Sequence, residues 1–283
     1  MIANRPKSAE AAGAPLLQRL LSRPYPAVMG VLNVTPDSFS DGGQFIAPEQ
    51  ALAQARKLVA DGADIIDIGA ESTRPYGSQQ PVSAEEELRR LKPVLADVVS
   101  LGVPVSIDSM KSGVVAWALA AGAAIANDVW GLQRDRGMAA LVAARDVPVI
   151  IMHNRDRADP GIDIMNDIST FFARSLEIAA KAGVSPDNIV LDPGIGFGKT
   201  PEQSMTALAR LDELRSFGLP LLVGASRKRF IGTVSPSEPQ QRLGGSIAAH
   251  LVAAQNGANI IRTHDVAETV QALRVAAAIR EQQ

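Results

Sequence analysis

Three acids or amides stand out because each closes a short apolar run: Asp108 after Val105-Ser106-Ile107, Asn127 after Ile125-Ala126, and Asp192 after Ile189-Val190-Leu191. Carboxylates accept hydrogen bonds and an amide both accepts and donates, so a planar heterocycle with several ring and amino N–H groups would satisfy this set. A second set, Asn33, Arg74, Arg262 and His264, offers donors and positive charge. It suits phosphate, which a guanidinium holds through paired hydrogen bonds. Ser226 and Lys228 add a hydroxyl and a cation of short reach between the two sets. Glu71, Thr73, Asp128, His153 and Arg227 occupy comparable positions. One polar residue after an apolar run is ordinarily a helix cap or a loop residue; the recurrence after every run is what points to a site.

The elements that must position these residues follow a repeated phrase. A glycine or turn residue leads straight into a strongly apolar stretch at Asp61–Ile68, Gly102–Asp108, Gly122–Asp128, Asp146–His153, Asn188–Asp192, Gly218–Gly224 and Gly257–Arg262, and an opening stretch at Ala27–Asn33 makes eight. Glycine just past a helix takes the left-handed conformation that closes it, and near-continuous Val/Ile/Leu runs suit strands buried on both faces of a parallel sheet. Amphipathic helical stretches lie between them, among them Pro48–Ala60, Ala84–Val99, Ile164–Ala182 and Ala267–Glu281. Eight strands alternating with helices predict an α/β fold, a single-domain (β/α)8 TIM barrel spanning residues 25–283, with a doubly wound open sheet as the alternative. In such a barrel the strand C-termini form the reactive face, and that is where the polar sets fall.

Composition limits the partners. A formal net charge of −2 gives no electrostatic footprint for nucleic acid or an anionic membrane. The chain has no cysteine, so disulfides and thiolate metal sites are excluded and a reducing, cytoplasmic setting is expected. Residues 1–24 carry one broken apolar cluster, Leu16-Leu17 and Leu20-Leu21, too short for a signal peptide or a membrane span; they read as a frayed or loosely docked extension.

Some signals invite other readings. In Gly194–Thr200 a dinucleotide fingerprint would need glycine where Lys199 stands, and a phosphate-binding Walker loop would need it where Pro193 stands, so these glycines are expected to let a loop approach a ligand. Asp192, His153 and His264 lack the helical histidine pair of a zinc hydrolase. His250, Trp117 and Trp130 read as packing residues.

With these residues in view, the chain resembles the dihydropteroate synthases. Gly30–Gly43 resembles the family's first signature and Gly69–Pro75 its second; Ile107–Ser109, Asn127–Val129, Leu191–Lys199, Gly224–Lys228 and Arg262–Val266 follow in order, and the resemblance spans residues 26–275. It implies condensation of 6-hydroxymethyl-7,8-dihydropterin pyrophosphate with p-aminobenzoate. By matching position it implies that Asp108, Asn127, Asp192 and Lys228 bind the pterin. Asn33, Arg74, Arg262 and His264 would hold the pyrophosphate and Mg2+, with Asn33 the metal ligand. Thr73, Pro75, Phe197, Ser226 and Lys228 would border the p-aminobenzoate pocket, and loops carrying Asp37, Phe39 and Arg74 would close over the site. Asp37, Arg74, Asp192, Lys228, Arg262 and His264 are thereby the candidate catalytic residues, and a homodimer is the family expectation. Two stretches depart from the family pattern: Arg74–Pro81 is longer, and Met152–Arg155 differs around His153. A pterin-binding methyltransferase acting on methyltetrahydrofolate would share the fold but has no pyrophosphate to hold, and a non-catalytic barrel subunit would need none of these polar residues.

Overall fold

Short apolar strands that bury both faces must be covered outside by helices and filled inside by one another's side chains, and the computed structural model builds this arrangement. It describes residues 15–35, 48–71 and 82–282. The strands are β1 (Ala27–Asn33), β2 (Ile65–Gly69), β3 (Val105–Asp108), β4 (Ile125–Asp128), β5 (Val149–Met152), β6 (Ile189–Asp192), β7 (Leu222–Val223) and β8 (Ile260–Thr263). The helices are α1 (Leu16–Leu21), α2 (Pro48–Ala60), α3 (Ala84–Leu91), α4 (Leu95–Val99), α5 (Ser112–Ala120), α6 (Met138–Arg145), α7 (Ile164–Ala182), α8 (Pro201–Ala209), α9 (Arg229–Val234), α10 (Leu243–Gln255) and α11 (Val266–Arg280).

All strand pairs are parallel, in the order β6-β5-β4-β3-β2-β1-β8-β7. The ring closes between β6 and β7 through a bridge pairing Leu191 with Leu221, where the Leu191 N–H donates to the Pro220 carbonyl at 2.9 Å. Closure excludes the open doubly wound sheet. The stretch expected as one helix at 84–99 is two, α3 and α4. Pro93 stands at the break, where it has no N–H to give the helix. Ser83 caps α3 and Asp163 caps α7 by accepting backbone N–H groups, and Gly183 ends α7 in the left-handed region (φ 84°).

The strand period divides each strand into two faces. One set, with Val28, Ile66, Ile68, Ile107, Ile151 and Leu191, packs outward against the helices. The other, with Met29, Ile65, Ile125, Ile150, Val190, Leu222 and Ile260, fills the barrel interior, and Leu17 and Leu20 of α1 belong to the same cluster. The expectation of a loosely docked extension therefore fails for residues 16–21. Leu17 and Leu20 are 3% and 7% exposed because the strand N-termini leave an apolar opening that the helix seals. No helix among the described residues is long and apolar enough to cross a membrane.

Candidate active site

Following the inward face of each strand toward its C-terminus, apolar side chains give way to polar ones. Register places Val31 beside Asp67, Asp67 beside Ser106, Asp108 beside Asn127, and Met152 beside Asp192, and it pairs Met29 with Arg262 from the other side. Asp67, absent from the sequence-based assignment, is the hub. It is fully buried, accepts from Arg262 Nε at 2.6 Å, and receives the Asn127 amide at 3.2 and 3.3 Å. Arg262 Nη2 also donates to Asp108 Oδ2 at 2.9 Å. The cation expected opposite the acids is thus laced into them. A signal did exist in the sequence: an aspartate in the middle of Ile65-Ile66-Asp67-Ile68 must point either into the barrel or into the helix layer, and both places are dry.

This floor is poised for more donors. Asp108 Oδ1 is buried without a hydrogen-bond partner among the described residues. Burial, reinforced by the neighbouring Asp67 charge and opposed by Arg262, pushes the Asp108 carboxyl up to about 7. Burial likewise raises Asp192 to about 6 against the Gly194 N–H it accepts at 2.7 Å. The donors each carboxylate already has, Arg262 for Asp108 and the Gly194 N–H for Asp192, do not offset burial, and N–H groups of a bound ring would add to them.

Around the mouth, the loop after β6 turns back over the barrel on Gly194, Gly196 and Gly198, all with positive φ. A methyl at Gly194 would collide with the His153 carbonyl, and one at Gly198 with Arg155, so glycine is needed at both places for close packing as well as for conformation. The loop presents Phe197, whose ring lies 4.1 Å from Lys228 Nζ. Phe197, Val129 and Met152, with Met110 and Trp130, form a separate apolar cluster at this mouth. Trp130 therefore packs near the site, while Trp117 packs against the main core.

After β7, Arg227 adopts a left-handed backbone (φ 58°), costly for a residue with a side chain. The turn separates its neighbours. Arg227 pairs bidentately with Asp265, while Ser226 Oγ meets His264 Nδ1 at 3.0 Å and Lys228 reaches Phe197. His264 departs from expectation in charge. Burial, with Arg262, Arg227 and Lys228 nearby, lowers it to about 3, so at neutral pH it is a neutral donor or acceptor rather than a cation.

Other sequence candidates do structural work. Asp128 accepts the Trp130 and Leu132 N–H groups at 2.9 and 2.7 Å. Glu71 accepts from Lys111 at 2.6 Å and from the Val82 N–H at 3.1 Å, and Lys111 also pairs with buried Glu87. His250 is buried within α10, with Nδ1 3.4 Å from the Thr269 hydroxyl, as a packing residue should be. His153 is fully buried behind the β6 loop, away from a direct pocket role. Asp37, Phe39, Thr73, Arg74 and Pro75 lie outside the described residues.

The match to known proteins covers this whole region. Residues 29–264 match the family described as pterin binding enzymes. A Bacillus subtilis dihydropteroate synthase is 45% identical over 240 residues, covering 84% of this chain and 83% of the relative. This chain belongs to the dihydropteroate synthases. Solved members share its shape. A Xanthomonas albilineans dihydropteroate synthase with 4-aminobenzoic acid superposes with a TM-score of 0.87 at 44% identity, covering 92% of this chain and 94% of that one. A Thermus thermophilus dihydropteroate synthase in complex with 6HMPPP gives 0.80 at 46% identity, covering 92% and 95%.

Proposed function

We propose that the chain is a transferase of folate biosynthesis that condenses 6-hydroxymethyl-7,8-dihydropterin pyrophosphate with p-aminobenzoate, releasing pyrophosphate and forming 7,8-dihydropteroate. The observation that carries this reading is the convergence of Asp67, Asp108, Asn127, Asp192 and Arg262 on one barrel interior, with a buried Asp108 oxygen still lacking a donor. A flat bicycle rich in N–H groups completes that set. Lys228 would border the bound ring and, with Phe197, Ser226, Thr73 and Pro75, the p-aminobenzoate above it. Asn33, Arg74, Arg262 and His264 would take the diphosphate, with the stretches carrying Asp37 and Arg74 closing over the site.

The amine of p-aminobenzoate is neutral at pH 7, so the chemistry turns on the leaving group. The C–O bond to the diphosphate breaks with its electron pair leaving on oxygen, and the electron-rich ring delocalises the cation left at the pterin methylene. The amine nitrogen then forms the C–N bond and its extra proton passes to solvent. Arg262, Arg74 and His264 stabilise the growing charge of the diphosphate, and each such donor typically lowers the barrier by ~3 kcal/mol. Asp192 orients the ring and favours its positive charge.

Among the described residues no cluster of three His, Asp or Glu could hold a metal. A lone Asn33 carbonyl suits Mg2+ that is held mainly by substrate phosphates and water, the usual habit of that ion. Bound there, Mg2+ would add positive charge against the departing diphosphate. The deciding assay mixes purified protein, Mg2+, pterin pyrophosphate and p-aminobenzoate. Dihydropteroate and p-aminobenzoate-dependent pyrophosphate release are expected, both lost with chelator; pyrophosphate release indifferent to p-aminobenzoate would overturn the reading.

We also propose a cytoplasmic homodimer. Exposed Val252 of α10, with Val275 and Ile279 of α11 (54% and 60% exposed), gives an apolar outer face of the kind an interface covers. Sedimentation should give twice the chain mass, and Val275→Lys with Ile279→Lys should shift it to monomer.

A further inference from the structure

Behind the glycine loop lies a buried chain of ionisable groups that the proposed chemistry does not use. Lys199 is 2% exposed, yet its Nζ stands 2.6 Å from His153 Nδ1 and 3.2 Å from the Phe197 carbonyl oxygen. His153 Nε2 meets Asp167 Oδ2 at 2.9 Å, and Asp167 Oδ1 accepts from Arg155 at 2.7 Å. Donor logic orders the chain: the Asp167 carboxylate, held low by its hydrogen bond from His153, can only accept, so the ring carries its proton on Nε2 and Nδ1 accepts from Lys199. The Phe171 ring packs edge-on against His153, 4.9 Å between centroids, and fixes the imidazole plane.

Each link comes from a different place: Asp167 from α7, His153 from the end of β5, Lys199 from the end of the β6 loop. At its inner end the chain reaches a backbone carbonyl. That carbonyl belongs to Phe197, whose N–H already donates to Gly194 at 3.0 Å and whose ring faces Lys228. A buried lysine retained at this desolvation cost, and donating to a peptide group of a pocket-wall residue, is placed to set where that wall stands. We propose that Lys199, held by His153 and Asp167, is a positioning residue that sets Phe197 and thereby the fit of p-aminobenzoate. This rests on the activity proposed above. The pterin floor is tied instead through Asp67, Asn127 and Arg262, so the two substrates should respond differently.

The test is steady-state kinetics with each substrate varied, alongside calorimetry with pterin pyrophosphate. Lys199→Met should raise KM for p-aminobenzoate by about ten-fold or more, the worth of one charge-assisted hydrogen bond, with KM and Kd for pterin pyrophosphate within about two-fold of wild type. Asp167→Asn, at the half-exposed end of the chain, should move the same KM in the same direction by less. It decides the matter if Lys199→Met does not fold. An unchanged p-aminobenzoate KM in the folded variant, or a parallel rise for both substrates, would overturn the assignment. Absence of turnover in the wild type would instead bring down the activity on which it rests, and the assignment with it.

Discussion

Replacing Asp67 with asparagine tests the floor of the site with almost no change of shape. Asp67 accepts two kinds of donor at once, the Arg262 guanidinium at 2.6 Å and the Asn127 amide at 3.2 and 3.3 Å, and it is fully buried. The amide keeps an acceptor for Arg262 but loses the charge, and it turns a second donor toward Asn127 unless one of the two amides flips. Weakening a charge-assisted hydrogen bond of this kind is worth roughly 1.5–3 kcal/mol, and 1.4 kcal/mol is tenfold in affinity. Asp67→Asn should therefore raise the Kd for a pterin and lower kcat/KM for pterin pyrophosphate by about 10- to 100-fold. KM for p-aminobenzoate should change far less. Asp67 is also one of the charges holding the Asp108 carboxyl high, so its removal should move the Asp108 titration downward. Calorimetry with a pterin lacking the diphosphate isolates the floor from the anion site. Pterin affinity within two-fold of wild type in a folded Asp67→Asn protein would refute the view that Asp67 organises the floor.

Pterin affinity should also depend on pH. Asp192 and Asp108, raised to about 6 and about 7, hold protons that must leave before they can accept ring N–H groups, so binding should tighten from pH 5 to 8 and then level off. Calorimetry across that range checks it, and Asp192→Asn with Asp108→Asn should flatten the curve. Leu20→Ala should cost about 2–5 kcal/mol of stability by opening a cavity at the sealed end, read as a lowered denaturation midpoint, with kcat/KM preserved in the protein that remains folded. Gly198→Ala should abolish soluble expression or turnover, since φ is +54° and the added methyl meets Arg155; normal activity would contradict the close packing of that loop.

The strands were legible because each has a glycine or turn residue before it and too many apolar residues for a half-exposed surface. The predicted helices Pro48–Ala60 and Ile164–Ala182 coincide with α2 and α7, where amphipathic period and end signals agree. Periodicity could not show closure, which depends on the contact of Leu191 with Leu221, thirty residues apart. The inward acids Asp108 and Asp192 and the amide of Asn127 were readable from their place at strand ends. Their pairing was not: Arg262 meets Asp67 across 195 positions, and only the barrel brings them together. For the same reason His264 looked like a cation in a row of basic residues, whereas burial among Arg262, Arg227 and Lys228 strips its proton. Lys199 looked like a spoiled nucleotide motif because its partner, His153, lies forty-six positions away.

The α1 helix has a consequence for traffic. With Leu17 and Leu20 stoppering one end of the ring, the described residues leave the strand C-termini as the way in, and a ligand on the Asp67 floor would have to enter before one seated beside Phe197. On the proposed reading arrival would become a queue, with the pterin first and p-aminobenzoate on top of it, and product inhibition patterns would report that order.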